Sequence, residues 1–138
     1  MNCFFDTSAL IKNYVEETGS EKVSALMEEA DEIFVSEITI IECFSTLKRI
    51  LSERLISKSD YIRLKKEILY DFEFFNRVGL SPEICEQLID EYQLKTLDSI
   101  QLAASLSVSD EIDAFICCDK KLLKAAEAEN HATLNPAV

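Results

Sequence analysis

The sequence has little glycine, histidine and tryptophan: its 138 residues include two glycines, one histidine and no tryptophan. Gly19 and Gly79 stand far apart, whereas GxGxxG and P-loop phosphate sites need at least two glycines at a fixed spacing. A single histidine, His131, excludes any mechanism or metal site that requires two. No apolar run reaches about 18 residues, and the start lacks the order of basic, apolar and small residues that marks a signal peptide. We therefore expect neither a membrane span nor a signal peptide.

Length and composition favour one folded domain. A chain of 138 residues, 48% of them apolar, can bury a core of its own. That apolar content is too high for a disordered chain. No repeat, low-complexity tract or proline-rich linker divides the sequence. We predict a single domain spanning residues 1–138.

The cysteines indicate a reducing compartment. There are five, an odd number, and none form a CxxC pair, so a disulfide framework is not expected. A structural zinc site would have to draw its ligands from scattered single cysteines. Buried thiols in a protein of the cytoplasm account for the cysteines better.

Short apolar segments alternate with amphipathic ones, which predicts an α/β fold with a mostly parallel sheet covered on both faces. In the segment 58–71, the side expected to be buried carries Tyr61, Leu64, Ile68 and Leu69. The predicted strands are 2–5, 33–35, 72–78, 115–117 and 132–134, and the predicted helices are 8–17, 20–30, 37–51, 58–71, 97–108 and 120–129, with a further helix beginning at Ser81-Pro82-Glu83.

The charge is −12 overall but is unevenly distributed. An acidic protein is at first sight a poor partner for nucleic acid, because phosphates are bound by basic surfaces. Residues 1–47 carry −8, residues 48–67 carry +4 and residues 68–138 carry −8. The basic segment is either a solvated helix with internal ion pairs or a surface for RNA phosphates or an acidic partner. Its basic residues are Lys48, Arg49, Arg54, Lys58, Arg63, Lys65 and Lys66.

Two aspartates each follow a predicted strand and precede a predicted helix. Asp6 follows the strand 2–5, and Asp119 follows the apolar residues 115–118. Ligands of parallel α/β sheets bind beyond the carboxyl ends of the strands, so both acids are expected at the same edge. Each could equally be an ordinary helix N-cap.

Asp98 and Glu42 are acids within predicted helices. Asp98 opens a helix that is apolar almost all round, where a carboxylate is costly unless it is capped, paired or metal-bound. Its helical neighbours Gln101, Leu102 and Ser105 form a mostly polar edge. Glu42 points away from the apolar stripe of its own helix, which predicts a solvent-facing side chain unless the helix borders a cleft on its other side. That stripe consists of Ile40, Phe44, Leu47 and Leu51.

Several carboxylates at one sheet edge would repel each other strongly at low dielectric, and a divalent cation relieves that repulsion. Mg²⁺ is the natural choice because it takes carboxylate oxygens and keeps several waters. Such a site can activate water and hold a phosphodiester for in-line attack. Metal-assisted hydrolysis is therefore the hydrolytic chemistry that the sequence supports best.

Four segments of the chain stand in order and at fitting spacing: an apolar-Asp-Thr-Ser-Ala-Leu sequence at 4–10, Ser-Glu-Ile-Thr followed by Ile-Glu at 36–42, Leu-Asp-Ser-Ile-Gln-Leu-Ala at 97–103, and Ile-Cys-Cys-Asp-Lys-Lys-Leu at 116–122. A Leu-Asn-Pro sequence at 134–136 closes the chain. Together they resemble the motifs of PIN domains, specifically of the VapC-type toxins of bacterial and archaeal toxin–antitoxin pairs, and the resemblance covers nearly the whole chain.

This resemblance implies a three-layer α/β/α sandwich around a mostly parallel sheet of four or five strands. It implies an endoribonuclease dependent on Mg²⁺ or Mn²⁺, often a homodimer. Asp6 and Asp98 would be the main metal ligands, and Glu42 and Asp119 would complete the site directly or through water. The implied partners are an RNA substrate and a small DNA-binding antitoxin, whose C-terminal segment would be basic to suit an acidic surface. The alternative is a non-catalytic PIN-like module that binds RNA or protein.

The chain departs from the family pattern at three positions. Cys117 stands where Thr or Ser is common, which predicts the loss of a hydroxyl contact in the site. Gln101 replaces a usual histidine, a change expected to matter little. Asn130 replaces a glycine, and asparagine tolerates a left-handed turn.

Two other acidic α/β classes fit less well. Haloacid-dehalogenase-type phosphatases need a second Asp two residues after the first, where Ser8 stands. Response-regulator receivers need an adjacent acidic pair after the first strand, which is absent.

Overall fold

The computed structural model describes residues 1–138 and is centred on one sheet of five strands. Every neighbouring pair of strands is parallel. The strands are β1 (Asn2–Phe5), β2 (Glu32–Ser36), β3 (Asn76–Val78), β4 (Ala114–Ile116) and β5 (Thr133–Leu134). Their order across the sheet is β3-β2-β1-β4-β5, so β1 is the central strand.

Seven helices connect and cover the strands. The turn before the last strand includes Asn130 at φ 71°, so the expectation of a left-handed residue there is confirmed. The helices are α1 (Thr7–Leu10), α2 (Ser20–Glu29), α3 (Thr39–Ser52), α4 (Lys58–Phe72), α5 (Pro82–Tyr92), α6 (Thr96–Ser107) and α7 (Lys120–Ala128).

Successive residues of the central strands face two separate cores. Cys3 and Phe5 of β1 pack in one core with apolar residues of α1 to α4. Phe4, between them, packs in the other core with apolar residues of α5 to α7. Strand β4 alternates in the same way, with Ile116 in the first core and Phe115 in the second. This alternation, inherent in the β pleat, produces three layers and confirms the α/β/α sandwich with a parallel sheet.

The segment 8–17 is not one continuous helix as expected. The α-helical part ends at Leu10 and a 3₁₀ turn covers Ile11–Asn13. The chain then turns around the Ser20 hydroxyl, which accepts from the Glu17 amide at 2.9 Å and donates to the Val15 carbonyl at 3.2 Å. These local bonds satisfy backbone groups that a longer helix would have used.

The boundary between α4 and β3 also differs from expectation. Phe72 ends α4 and is buried, because it continues the spacing of Leu64 and Ile68 into the first core. The strand expected over 72–78 therefore begins only at Asn76. Leu69, expected on the buried side, is 51% exposed.

Two smaller observations complete the fold. None of the helices combines the length and apolar character needed to cross a bilayer. All five cysteines are unpaired, and three of them, Cys3, Cys43 and Cys117, are buried.

Gly19→Ala should destabilise the fold by about 2–4 kcal/mol, because it combines backbone strain with overpacking. Gly19 precedes α2 with φ 98°, and an added Cβ would lie 2.6 Å from the Pro136 carbonyl oxygen. Urea unfolding measures the loss. Gly79→Ala is the matched control, because its Cβ would meet only the Glu37 carboxylate at 3.8 Å. Equal stability of the two variants would contradict this packing.

Candidate functional site

Asp6, Glu42, Asp98 and Asp119 line a single cleft of about 280 Å³. Asp6 directly follows β1, and Asp119 follows β4, its neighbour in the sheet. The Asp6 amide donates to the Ile116 carbonyl at 2.9 Å, so the ends of these two strands are held together. The structure thus brings together all four acids singled out in the sequence. The other lining residues are Thr7, Ser8, Ser45, Thr46, Leu97 and Gln101.

Asp6 is both the N-cap of α1 and a wall of the cleft. Its side chain is almost completely buried, with 5% exposed. Its Oδ2 accepts from the Ser8 amide at 3.1 Å and from the Ser8 hydroxyl at 2.5 Å. Asp6 can therefore be both a helix cap and a site residue. Its Oδ2 caps the helix, and its Oδ1 is left without a hydrogen bond from the protein.

Burial raises the pKa of Asp6 from 3.8 to about 6. The two hydrogen bonds from Ser8 oppose this change by stabilising the charged form, and the nearby Glu42 and Asp98 carboxylates add to it. Asp6 is consequently a poorly solvated charge at neutral pH, with carboxylates rather than cations as its charged neighbours.

Asp98 lies in the first turn of α6 and is half-buried. The N-cap of α6 is Lys95, so Asp98 does not serve as the cap. Burial is the main cause that raises its pKa, followed by repulsion from Asp119 and Glu42. Its carboxylate makes no hydrogen bond within the protein, which leaves both oxygens free for another ligand.

Glu42 is not the solvent-facing residue that the apolar stripe predicted. The buried side of α3 consists of Thr39, Cys43, Leu47 and Ile50, so it is rotated toward Glu42 relative to the expected stripe. A hydroxyl and a thiol at its start concealed this in the sequence. Glu42 is half-buried, and its Oε1 accepts from the Thr7 hydroxyl at 2.7 Å. The helix does border a cleft on this side.

Gln101 was expected to matter little, yet it links three elements behind the cleft. Its Nε2 lies within hydrogen-bond distance of Thr7 Oγ1 (2.9 Å), Thr39 Oγ1 (2.9 Å) and Glu42 Oε1 (2.8 Å). The Gln101 side chain is 1% exposed, and its own Oε1 is the one buried side-chain oxygen or nitrogen without a hydrogen-bond partner. The Gln101 amide, on α6, therefore holds the Glu42 carboxylate in place. In the sequence, the signal for this role is the position of Gln101 one helical turn after Asp98.

Cys117 and Ser8 replace the hydroxyl contact expected to be lost. Cys117 Sγ accepts from the Asp119 amide at 3.3 Å and lies 3.6 Å from Asp6 Oδ2. The Ser8 hydroxyl donates to Asp6 and accepts from the Cys118 amide at 3.0 Å. Burial, and then the charge of Asp6, raise the pKa of the Cys117 thiol, which stays protonated. The hydroxyl contact to Asp6 thus comes from Ser8 in α1, and not from position 117 just after β4.

Asp119 is the exposed member of the set. It is the N-cap of α7, and its Oδ1 accepts from the Leu122 amide at 2.9 Å. As with Asp6, capping occupies one carboxylate oxygen and the other carries no hydrogen bond from the protein. Capping and a place in the cleft are therefore compatible here too.

The donors in the cleft suit a hard divalent cation. No three His, Cys, Asp or Glu side chains lie close enough to form a complete metal cage by themselves. Each of the four acids, however, lines the cleft, and each has at least one carboxylate oxygen that the protein does not hydrogen-bond. Mg²⁺ is bound through one or two carboxylates and keeps several waters, so this set of oxygens fits such an ion.

The protein thus has an α/β fold with a parallel sheet. Four carboxylates share one cleft at the C-terminal ends of the strands, and this acidic site suits a cation. The family model described as PIN domain matches residues 3–128. The chain therefore belongs to the PIN domain family. No curated protein sequence matches the chain significantly.

Solved structures of similar shape include a toxin–antitoxin complex and a toxin. One, a toxin–antitoxin complex from Klebsiella pneumoniae, is 20% identical with a TM-score of 0.70 and 97% of both chains covered. FitAcB from Neisseria gonorrhoeae is 17% identical with a TM-score of 0.69 and 97% of both chains covered. VapC20 from Mycobacterium tuberculosis, a toxin that cleaves the sarcin–ricin loop, is 12% identical with a TM-score of 0.64, covering 89% of this chain and 94% of that one. At these identities the likeness establishes the fold.

Asp6→Asn should stabilise the metal-free protein by about 1–3 kcal/mol at pH 7, since a pKa rise of about two units corresponds to about 3 kcal/mol. The folded state holds this proton more tightly than the unfolded chain, with a pKa of about 6 against 3.8. The stability that Asp6 contributes is therefore complete below pH 3.8 and is lost as the pH rises through 6. Urea unfolding in EDTA at several pH values measures the gap between variant and wild type, which should vanish near pH 4. A gap independent of pH, or one equal to that of the exposed control Asp110→Asn, would contradict the raised pKa.

Gln101→Leu should lower the free energy of unfolding by about 1–3 kcal/mol, the cost of leaving buried polar groups without a partner. The variant removes the bonds from the amide to Thr7, Thr39 and Glu42. Chemical denaturation measures the change. Gln87→Leu on the exposed side of α5 makes the same replacement without buried partners and should be nearly neutral. Near-neutral behaviour of Gln101→Leu as well would show that the network contributes little.

Proposed function

We propose that this chain is a metal-dependent endoribonuclease and the toxin of a toxin–antitoxin pair of the VapBC type. The observation that carries the proposal is the convergence of Asp6, Glu42, Asp98 and Asp119 on one cleft of a PIN domain. The sequence contributes one histidine, so a nuclease that relies on a histidine pair is excluded. Carboxylates with a divalent cation are the hydrolytic machinery that the residues support best.

Asp6 and Asp98 are the principal metal ligands in this proposal, as the resemblance to PIN domains implies. Asp98 has two carboxylate oxygens, and Asp6 one, that no protein group uses. Glu42 and Asp119 complete the coordination, directly or through water. The ion would be Mg²⁺ or Mn²⁺, and when bound it would activate a water and stabilise the phosphodiester under attack. Burial, and then repulsion among the carboxylates, raise the pKa of Asp6 and Asp98, and a bound cation would relieve that repulsion.

The surrounding residues position these acids. Ser8 holds Asp6 Oδ2, which orients the remaining oxygen of Asp6. Thr7 and Gln101 hold Glu42 Oε1, which leaves Oε2 for the cleft. Because these bonds fix one oxygen of Asp6 and one of Glu42, this part of the ligand set is organised before an ion arrives.

The partners follow from the same proposal. An RNA substrate would enter the acidic cleft, and a small antitoxin would cover it through a basic C-terminal segment. Support comes from the similar fold of FitAB, solved bound to a DNA fragment, and of the Klebsiella pneumoniae toxin–antitoxin complex. A net charge of −12 makes a basic segment the complementary partner. We further propose a homodimer that acts in the cytoplasm.

Asp98→Asn should lower RNA cleavage by at least about 100-fold, as removing one electrostatic contributor commonly does. The purified chain is incubated with total RNA and Mn²⁺ or Mg²⁺, and cleavage is followed by gel electrophoresis. Asp6→Asn should behave in the same way. Wild-type cleavage should stop with EDTA and return when Mn²⁺ is added in excess.

The matched control for this assay is Asp110→Asn, the same replacement at an exposed acid after α6, outside the cleft. It should cleave as the wild type does. Equal cleavage by wild type, Asp98→Asn and Asp6→Asn would rule out this site. Intact RNA with every protein, including wild type in Mn²⁺, would favour the non-catalytic binding module.

A further inference from the structure

The structure separates the basic residues of segment 48–67 into paired and unpaired ones. Arg63 lies between two carboxylates, Asp60 (3.3 Å) and Glu67 (2.9 Å), so two negative charges flank its guanidinium. Arg49 faces Glu53 at 3.4 Å with both side chains largely exposed. An exposed pair of this kind is weak, so the Arg49 guanidinium remains available to a stronger anion.

Lys48 and Lys65 converge on one aromatic ring. Their ammonium groups lie 5.7 Å and 5.0 Å from the centroid of the Tyr61 ring. Neither lysine takes part in any ion pair of the chain. Two uncompensated positive charges are thus held near each other by a neutral ring that attracts both.

The helix that carries Lys48 and Arg49 also forms a wall of the cleft. Arg49 is seven residues beyond Glu42, which is about 10.5 Å along the helix axis and within about 20° of the same direction. Ser45 and Thr46 lie between them and line the cleft. The Ser45 and Thr46 hydroxyls make no hydrogen bond within the protein and so can bind a ligand. The Ser52 hydroxyl on the same helix, by contrast, donates to the Lys48 carbonyl at 2.9 Å. A polar path therefore leads along α3 from the acids to Arg49. Lys48, the residue before Arg49, points about 120° away from Glu42 around the helix, to the side where Lys65 and Tyr61 lie.

We propose that this path binds the RNA backbone beside the cleavage point, with Arg49, Lys48 and Lys65 contacting phosphates. The inference rests on the proposed ribonuclease function and names the surface that its substrate uses. A chain of net charge −12 repels RNA at long range, so docking requires a local positive surface that adjoins the cleft. The α3 path meets that requirement.

RNA fits this surface better than an acidic polypeptide does. Arg49 is joined to the cleft through Ser45 and Thr46, and Lys48 follows around the helix, so one extended polyanion can run from the cleft to the basic residues. At the near end of the path, Asp98, Asp119 and Glu42 would repel any polyanion. RNA is favoured over an acidic polypeptide because the proposed function places a cation there for a phosphodiester.

The test compares two triple variants that remove the same net charge. The path variant, Lys48→Gln/Arg49→Gln/Lys65→Gln, removes the three positive charges of the proposed RNA surface. The control variant, Arg63→Gln/Lys66→Gln/Lys124→Gln, removes three positive charges elsewhere. Fluorescence anisotropy measures binding of a labelled single-stranded RNA of mixed sequence at several salt concentrations, in an Asp98→Asn background with Mg²⁺. Polyglutamate serves as the acidic polypeptide probe. Wild-type cleavage of RNA, measured separately, reports on the proposed function alone.

The path variant should bind the RNA at least about tenfold more weakly. The slope of log binding constant against log salt concentration should fall in magnitude by about 2, which is about 0.7 for each lost phosphate contact. The control variant should keep the slope of its background, and Lys48→Arg/Arg49→Lys/Lys65→Arg should restore binding. Equal losses in the path and control variants would overturn the inference, as would a loss confined to polyglutamate. Either result leaves the proposed function standing if the wild type still cleaves RNA.

Discussion

The site is organised around one unfavourable interaction: the Asp6 carboxylate is buried at the end of the central strand, where water solvates its charge poorly. Burial and the nearby Glu42 and Asp98 raise its pKa to about 6. The fold tolerates this cost because Ser8 donates two hydrogen bonds to one oxygen of Asp6. An unfavourable charge kept in this position, open to a cleft shared with other acids, is typical of a functional site.

Neutral side chains keep the acids in place without cancelling their charge. Gln101 joins Thr7, Thr39 and Glu42 across three helices, and Cys117 bridges the ends of the two strands that carry Asp6 and Asp119. A lysine or arginine at these positions would neutralise the carboxylates and compete with a cation. The cluster therefore retains the negative field that a divalent ion requires.

Much of the fold and the placement of the acids follow from the sequence because periodicity and strand ends are local signals. The rule that parallel strands present ligands at their carboxyl ends correctly locates Asp6 and Asp119. The apolar stripe of α3 misplaces Glu42 because Thr39 and Cys43 are buried, and neither belongs to an obvious apolar stripe. The role of Gln101 depends on contacts with residues 62 and 94 positions away, which no local pattern encodes. The early end of the first helical segment likewise depends on side-chain bonds from Ser20.

The net charge first suggested a protein that avoids nucleic acid, and the distribution of charge changes that conclusion. Acids of the cleft account for part of the −12, and a bound cation would reverse the local field that a phosphate meets. The most direct test of the central claim is an anomalous difference map from crystals soaked in Mn²⁺. A peak in the cleft lined by Asp6, Glu42, Asp98 and Asp119 is the predicted result. A cleft without a peak, or Mn²⁺ bound only at other acids, would contradict the account.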